Sequence, residues 1–186
     1  MEIRTSTTAD ILRLGDIDGT IESSRYLHVQ RQGTGLCSAW HLEERPLREK
    51  LIASNPLDDE IQFTHRQIVS GADEGLTLVA EHDHQLVASL VAQAHALTQT
   101  LRIIDLRVDY DCRRQGIGLA MLCRSIQEAA QLQLRAVMVK TLTNNAPAAQ
   151  FLIKGGFELA GLDAQYHSNH DLVKEAVSLF WYAALD

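Results

Sequence analysis

The stretch Leu101–Ala120, LRIIDLRVDYDCRRQGIGLA, decides the reading of this chain, because an apolar strand there passes through a charged loop into a helix at two glycines. The run Arg113-Arg114-Gln115-Gly116-Ile117-Gly118 sets successive backbone N–H groups, little hindered at the glycines, at the positive end of a helix expected to begin near Gly118. Such an end holds pyrophosphate through amide hydrogen bonds and the helix dipole. Two common phosphate loops are excluded by spacing. A P-loop carries Lys-Ser or Lys-Thr directly after its last glycine, and Leu119-Ala120 stands there. A Rossmann turn wants Gly or Ala three residues beyond Gly118, where Met121 stands. A glycine turn with no ligand is the bland alternative.

Outward from this stretch the pattern is regular. Upstream, Leu76–Ala80 and Leu86–Ala94 read as strands around the turn Glu81–Gln85, and Leu101–Val108 follows as a third strand of a meander. Downstream, Leu119, Leu122, Ile126 and Ala129 or Ala130 recur at helical spacing opposite Arg124, Gln127, Glu128 and Gln131. Leu134–Leu142 is apolar without alternation, as a strand covered on both faces would be. Asn144 or Asn145 can cap the next helix, Pro147 fits its first turn, and Gly155-Gly156 stops it. Two strands finish the chain, one from Phe157 and one in which Val177, Leu179, Trp181 and Ala183 share a face.

The first seventy residues say less. Met1–Glu22 shows no period and reads as an arm or a short helix. Tyr26–Val29 and Leu36–Leu42 flank Gln32-Gly33-Thr34-Gly35 as a hairpin. Arg45–Ala53, in part, and Asp58–Ser70 read as a pair of helices. At 186 residues and 46% apolar composition, the chain is expected to form a single domain with its own core. A net charge of -7 argues against nucleic-acid and anionic-membrane partners and favours a cationic one. Cys37, Cys112 and Cys123 are odd in number and lack metal spacing, which fits reduced thiols in the cytoplasm. No apolar run approaches the ~18 residues of a membrane span. His82 and His84 lack a third ligand, so no metal site is expected.

The six residues Arg113–Gly118 resemble motif A of the Gcn5-related N-acetyltransferase (GNAT) superfamily, Arg/Gln-x-x-Gly-x-Gly/Ala. The run from Asn145 through Ala148, Phe151 and Lys154 to Gly156-Phe157 is similar to its motif B, with Leu152 in place of the usual tyrosine. Gly161-Leu162-Asp163, Tyr166 and Glu175–Tyr182 resemble the ending of streptothricin acetyltransferases. The resemblance covers the last hundred residues well and the first seventy loosely. It implies an α/β (α+β) GNAT fold: a mixed, mostly antiparallel sheet splayed at its centre, with helices on both faces. Residues 1–70 would form an arm, a hairpin and helices, and 75–186 the acetyl-CoA-binding core.

The same resemblance implies acetyl-CoA as co-substrate. The backbone at Leu106, Arg107 and Val108 would meet pantetheine as a strand does. The backbone of Arg113, Arg114, Gln115, Gly116, Ile117 and Gly118 would meet pyrophosphate, and Asn145 and Lys154 would lie near the coenzyme arm, cap and solvated charge being their plainer roles. A protonated amine must lose a proton before it attacks, which makes Asp105 the candidate base, with a structural or cation-binding role as the alternative. The oxyanion would meet a backbone N–H near Leu106. Leu152 cannot protonate a leaving thiolate, so Tyr166 or Tyr182 is the candidate acid, a packed aromatic being the plainer role of each. Cys112 has no histidine partner in the sequence and reads as filler. The function so implied is direct N-acetylation of a small cationic amine, a streptothricin-like antibiotic in particular, with a role in antibiotic resistance. The alternatives are a protein or peptide amine as acceptor, or a coenzyme A-binding module that has lost catalysis. Phe180 and Trp181, read as an exposed apolar edge of the final strand, are consistent with a homodimer.

Overall fold

A computed structural model describes residues 1–185. In chain order the elements are β1 (Glu2–Thr5), α1 (Thr8–Ile11), a 3-10 turn (Leu14–Asp16), β2 (Ile21–Thr34), β3 (Cys37–Ala53), α2 (Asp59–Val69), β4 (Gly75–His82), β5 (Gln85–His95), β6 (Thr100–Val108), a second 3-10 turn (Tyr110–Cys112), α3 (Ile117–Gln131), β7 (Ala136–Leu142), α4 (Ala146–Lys154), β8 (Glu158–Asp163) and β9 (Ser178–Ala184). They fall into two compact units. The first holds Met1–Thr20, Ser54–Val139 and the end of the chain from Tyr182; the second holds Ile21–Ala53 and Lys140–Trp181.

In the first unit the strands run in the order β1-β4-β5-β6-β7-β9. β1/β4, β4/β5 and β5/β6 are antiparallel, whereas β6 and β7 are parallel. The β4-β5 turn is tight because Asp83 and His84 both adopt positive φ, 49° and 63°, as a two-residue hairpin with the sheet's right-handed twist demands. Consecutive residues Leu76–Ala80 and Leu86–Ala92 are buried, so both faces of these strands are covered. Leu14 and Ile17 pack with Val79 and Leu86 on one face, and α2 sets His65 against Ser6, which bonds Thr77 on that same face. α3 covers the other face with Ile117, Met121, Leu122, Ser125 and Ala129.

The second unit is built on the antiparallel hairpin of β2 and β3, which turns at Gly35-Leu36, with α4 packed on β2 and the first part of β9 beside β8. Among the described residues no helix is long and apolar enough to cross a membrane.

Several sequence expectations need correction. Arg45–Ala53 is strand throughout and pairs with β2 at Tyr26↔Arg45 and Arg25↔Pro46 and again from Ser23↔Leu51 to Ile21↔Ala53, so the supposed helical pair is a single helix, α2. Pro46 disfavours α geometry at Arg45 and is tolerated in a two-stranded ribbon beside the irregularity at Ser23/Arg25. The N-terminal arm contains an unforeseen strand, β1, too short to show alternation. The buried stripe of α3 starts at Ile117 and passes through Met121, leaving Leu119 41% exposed. Trp181 is buried, its Nε1 donating to Thr141 Oγ1 at 2.8 Å, and β9 lies between β7 and β8, so the final strand offers no exposed apolar edge.

Candidate active site

The first unit assembles its site where β6 stops following β7. The parallel ladder has four register pairs, Thr100↔Ala136 to Ile103↔Val139. β6 continues five residues further, held on its other edge by β5 through Asp105↔Val91, Leu106↔Leu90, Arg107↔Ser89 and Val108↔Ala88. Ala92 faces Ile103 and Val91 faces Asp105, so Ile104 is the extra residue of a β-bulge at the point where the ladder with β7 ends. A bulge bends its strand and sharpens the local twist, which is how one edge of a central strand is released from its neighbour. The backbone of Ile104–Val108 thus has no strand partner on that edge among the described residues.

Past Val108 the chain is fixed by Asp109. Its N–H donates to Val87 O at 2.8 Å, and its carboxylate accepts from the N–H groups of Asp111 and Asp18, both at 3.1 Å. Arg113 ties the far side: Nε donates to Val108 O at 3.0 Å, Nη2 to Asp18 O at 3.4 Å, and the guanidinium lies 5.1 Å from the Tyr110 ring centre. Between these anchors Arg114 and Gly116 adopt left-handed φ, 61° and 85°, and Arg114-Gln115-Gly116 are exposed. Gly116 caps α3, with its carbonyl accepting from Ala120 N at 3.0 Å. The amides of the helix's first turn have no carbonyl behind them within the helix and face outward as donors. Nothing lies within 4 Å of a Cβ placed on Gly116, so glycine is required there by conformation rather than by space.

Asp105 and Arg107 are both buried on the same face of β6. The guanidinium takes both carboxylate oxygens, at 2.7 and 2.9 Å, and its Nη1 donates to Asn55 O at 3.2 Å. Asp105 is therefore a clamped carboxylate, the geometry of a structural or orienting group. Tyr182, partly buried in β9, stacks under the Arg135 guanidinium at 5.8 Å. Burial, then Asp109 and Asp111, push the Cys112 thiol up, which suits a packing role and not a nucleophile.

The second unit carries the other expected residues. Asn145 is the N-cap of α4, its side chain accepting from Ala148 N at 3.3 Å, and Lys154 is exposed in the last turn. Leu152 is 2% exposed, packed in the core and not facing an open space. Tyr166 is half exposed, with Lys140 Nζ 4.1 Å from its ring centre and Phe180 edge-on at 5.8 Å. The structure thus brings Asp105, the β6 edge, the loop Arg113–Gly118 and Tyr182 into the first unit, and Asn145, Lys154 and Tyr166 into the second. Sequence reasoning missed Asp109 and the side chain of Arg107. The spacing Asp109-x-Asp111 directly after a strand, an Asx-turn signal, could have found the first. His82 and His84 sit exposed at the hairpin tip.

A family model described as the acetyltransferase (GNAT) family matches residues 37–157, well over half of the chain. The chain belongs to the GNAT acetyltransferase family. Streptothricin acetyltransferase A of Bacillus subtilis (strain 168) is 31% identical over 80 residues, 43% of this chain and 46% of that protein. This GNAT chain therefore aligns with under half the length of that relative. The [Ribosomal protein bS18]-alanine N-acetyltransferase of Escherichia coli (strain K12) is 26% identical over 152 residues, 77% of this chain and 88% of that protein. A Bacillus anthracis str. Ames structure solved in complex with acetyl coenzyme A superposes with a TM-score of 0.80 at 18% identity, covering 100% of this chain and 97% of the other. The likeness establishes a shared α+β fold with a mostly antiparallel sheet.

Proposed function

We propose that this chain is an acetyl-CoA-dependent N-acetyltransferase that acetylates a primary amine of a small cationic molecule by direct transfer, with a streptothricin-like compound as the specific acceptor. The observation that carries the reading is the pairing of an amide-rich helix start at Gly116–Leu119, entered through the exposed run Arg114–Gly116, with a β6 edge freed beyond Ile103. Both donor sets suit acetyl-CoA: the loop and first turn its pyrophosphate, the edge of Ile104–Val108 its two pantetheine amides. Acetyl-CoA supplies an acetyl thioester whose thiol, at a pKa of about 8.5 by analogy with cysteine, leaves without extreme assistance.

This chain's residues do the rest. The loop binds and the β6 edge orients. Asp105, its carboxylate clamped and its charge offset by Arg107, is proposed to orient the groups beside that edge, with Tyr182 as the proposed proton donor. The net charge of -7 raises the local concentration of a cationic acceptor.

A second reading, acetylation of a protein α-amine, is favoured by the longer alignment with the bS18-alanine enzyme. The test is thiol release from acetyl-CoA against a panel of acceptors. Turnover with small di- or polycationic amines supports the first reading, and turnover confined to peptides with an N-terminal alanine supports the second. Saturable acetyl-CoA binding with no turnover for any acceptor assigns the chain to coenzyme A binding alone.

A further inference from the structure

The second unit contains a half-open surface pocket of about 380 Å³ that the transfer reading does not use. It lies among Arg31 and Trp40 of the hairpin, Asp163 at the end of β8, and Gln165 and Asn169 of the following loop, with Leu172 supplying an apolar wall. Its volume falls at the small end of ligand pockets, about 300–1,000 Å³.

The lining narrows the occupant. One guanidinium and one carboxylate leave no net charge, which disfavours a phosphate or a bare ammonium. Four of the side chains carry planar forks: the guanidinium of Arg31, the carboxylate of Asp163 and the carboxamides of Gln165 and Asn169. A fork presents two polar atoms side by side and so matches a pair of adjacent hydroxyl groups. One Asp163 oxygen accepts from Gln165 N at 2.8 Å, which fixes the carboxylate's direction. Trp40 is 38% exposed, and the Arg31 guanidinium lies 5.5 Å from its ring centre. The exposed part of the indole, on the side away from the guanidinium, gives an apolar surface on which the C–H face of a ring can pack. We propose that this pocket binds a pyranose ring, neutral or bearing a single amino group.

The inference does not rest on acetyl transfer, and its test contains no acetyl-CoA. Tryptophan emission of the full chain is followed while glucose, glucosamine and N-acetylglucosamine are titrated, with putrescine and inorganic phosphate as controls. Trp40→Phe serves as the blank, since the one remaining indole, Trp181, is buried. A saturable change with at least one sugar is expected, absent in Trp40→Phe and weakened about two- to tenfold in the exposed-site variant Asn169→Ala, the loss of one hydrogen bond. Circular dichroism identifies any variant that fails to fold. No saturation with any of the three sugars, an unchanged response in Trp40→Phe, or saturation by putrescine or phosphate alone overturns the proposal.

Discussion

Arg107 and Asp105 form a bidentate pair that is almost fully buried, with side chains 2% and 8% exposed. Removing one partner strands the other charge, so Arg107→Ala is expected to lower stability by about 3–5 kcal/mol in urea unfolding, more than a surface arginine's removal would. His65 makes a second residue-scale statement. Its Nε2 lies 2.5 Å from Ser6 Oγ, which itself donates to Thr77 Oγ1, so the ring nitrogen is the donor and Nδ1 is left without a partner among the described residues. Burial lowers its pKa, against the opposing pull of Asp10 and Asp105. A folded pKa below the unfolded value, about 6.5, means the unfolded chain binds more protons, so this contribution is full above that pH and is lost as pH falls below it. His65→Gln is expected to flatten the fall in unfolding free energy between pH 7.5 and pH 5 that the native chain shows; an equally steep fall in the variant would assign it elsewhere. Leu152, at the position where the motif resemblance implies tyrosine, is packed. Leu152→Tyr is expected to cost about 1–3 kcal/mol by overpacking, read as a lowered melting temperature.

At the scale of elements, the loop between β6 and α3 depends on backbone conformation at Gly116. Gly116→Val is expected to weaken acetyl-CoA binding and to destabilise by about 1–2 kcal/mol, because a β-branched residue is forced to φ 85° in otherwise open space. Gly116→Asn, which tolerates the left-handed region, should be affected less; equal losses in the two would point to crowding instead. This loop was legible in the sequence because glycines and a preceding apolar strand leave a local signature. So were α4, through Asn145, Pro147 and Gly155-Gly156, and β9, through its alternation. The bulge at Ile104 was not. It is set by the register of β5 against β6, a pairing between two strands, and nothing within LRIIDLRV itself announces it. The long β3 was hidden for a similar reason: its charged residues suit a helix as well as a strand until β2 pairs with them.

For the molecule as a whole, the order β4-β5-β6-α3-β7-α4-β8-β9 follows the sequence reading, because buried elements must show their period to bury one face or two. The candidate site was legible only in its backbone parts. Side-chain partnerships such as Arg107 with Asn55, or Asp109 with Asp18, join residues that only the tertiary structure brings together. The chain's acceptor rests on charge, on family likeness and on alignments that cover part of each relative. Its cofactor rests on more, the geometry of one turn and one freed strand edge. Calorimetric titration of acetyl-CoA into the native chain and into Gly118→Trp addresses that geometry directly. A single saturable site is expected in the native chain, with affinity lost by about a hundredfold or more, roughly 2.8 kcal/mol, in the variant whose indole covers the first-turn amides. Equal affinity in a folded Gly118→Trp would contradict the account.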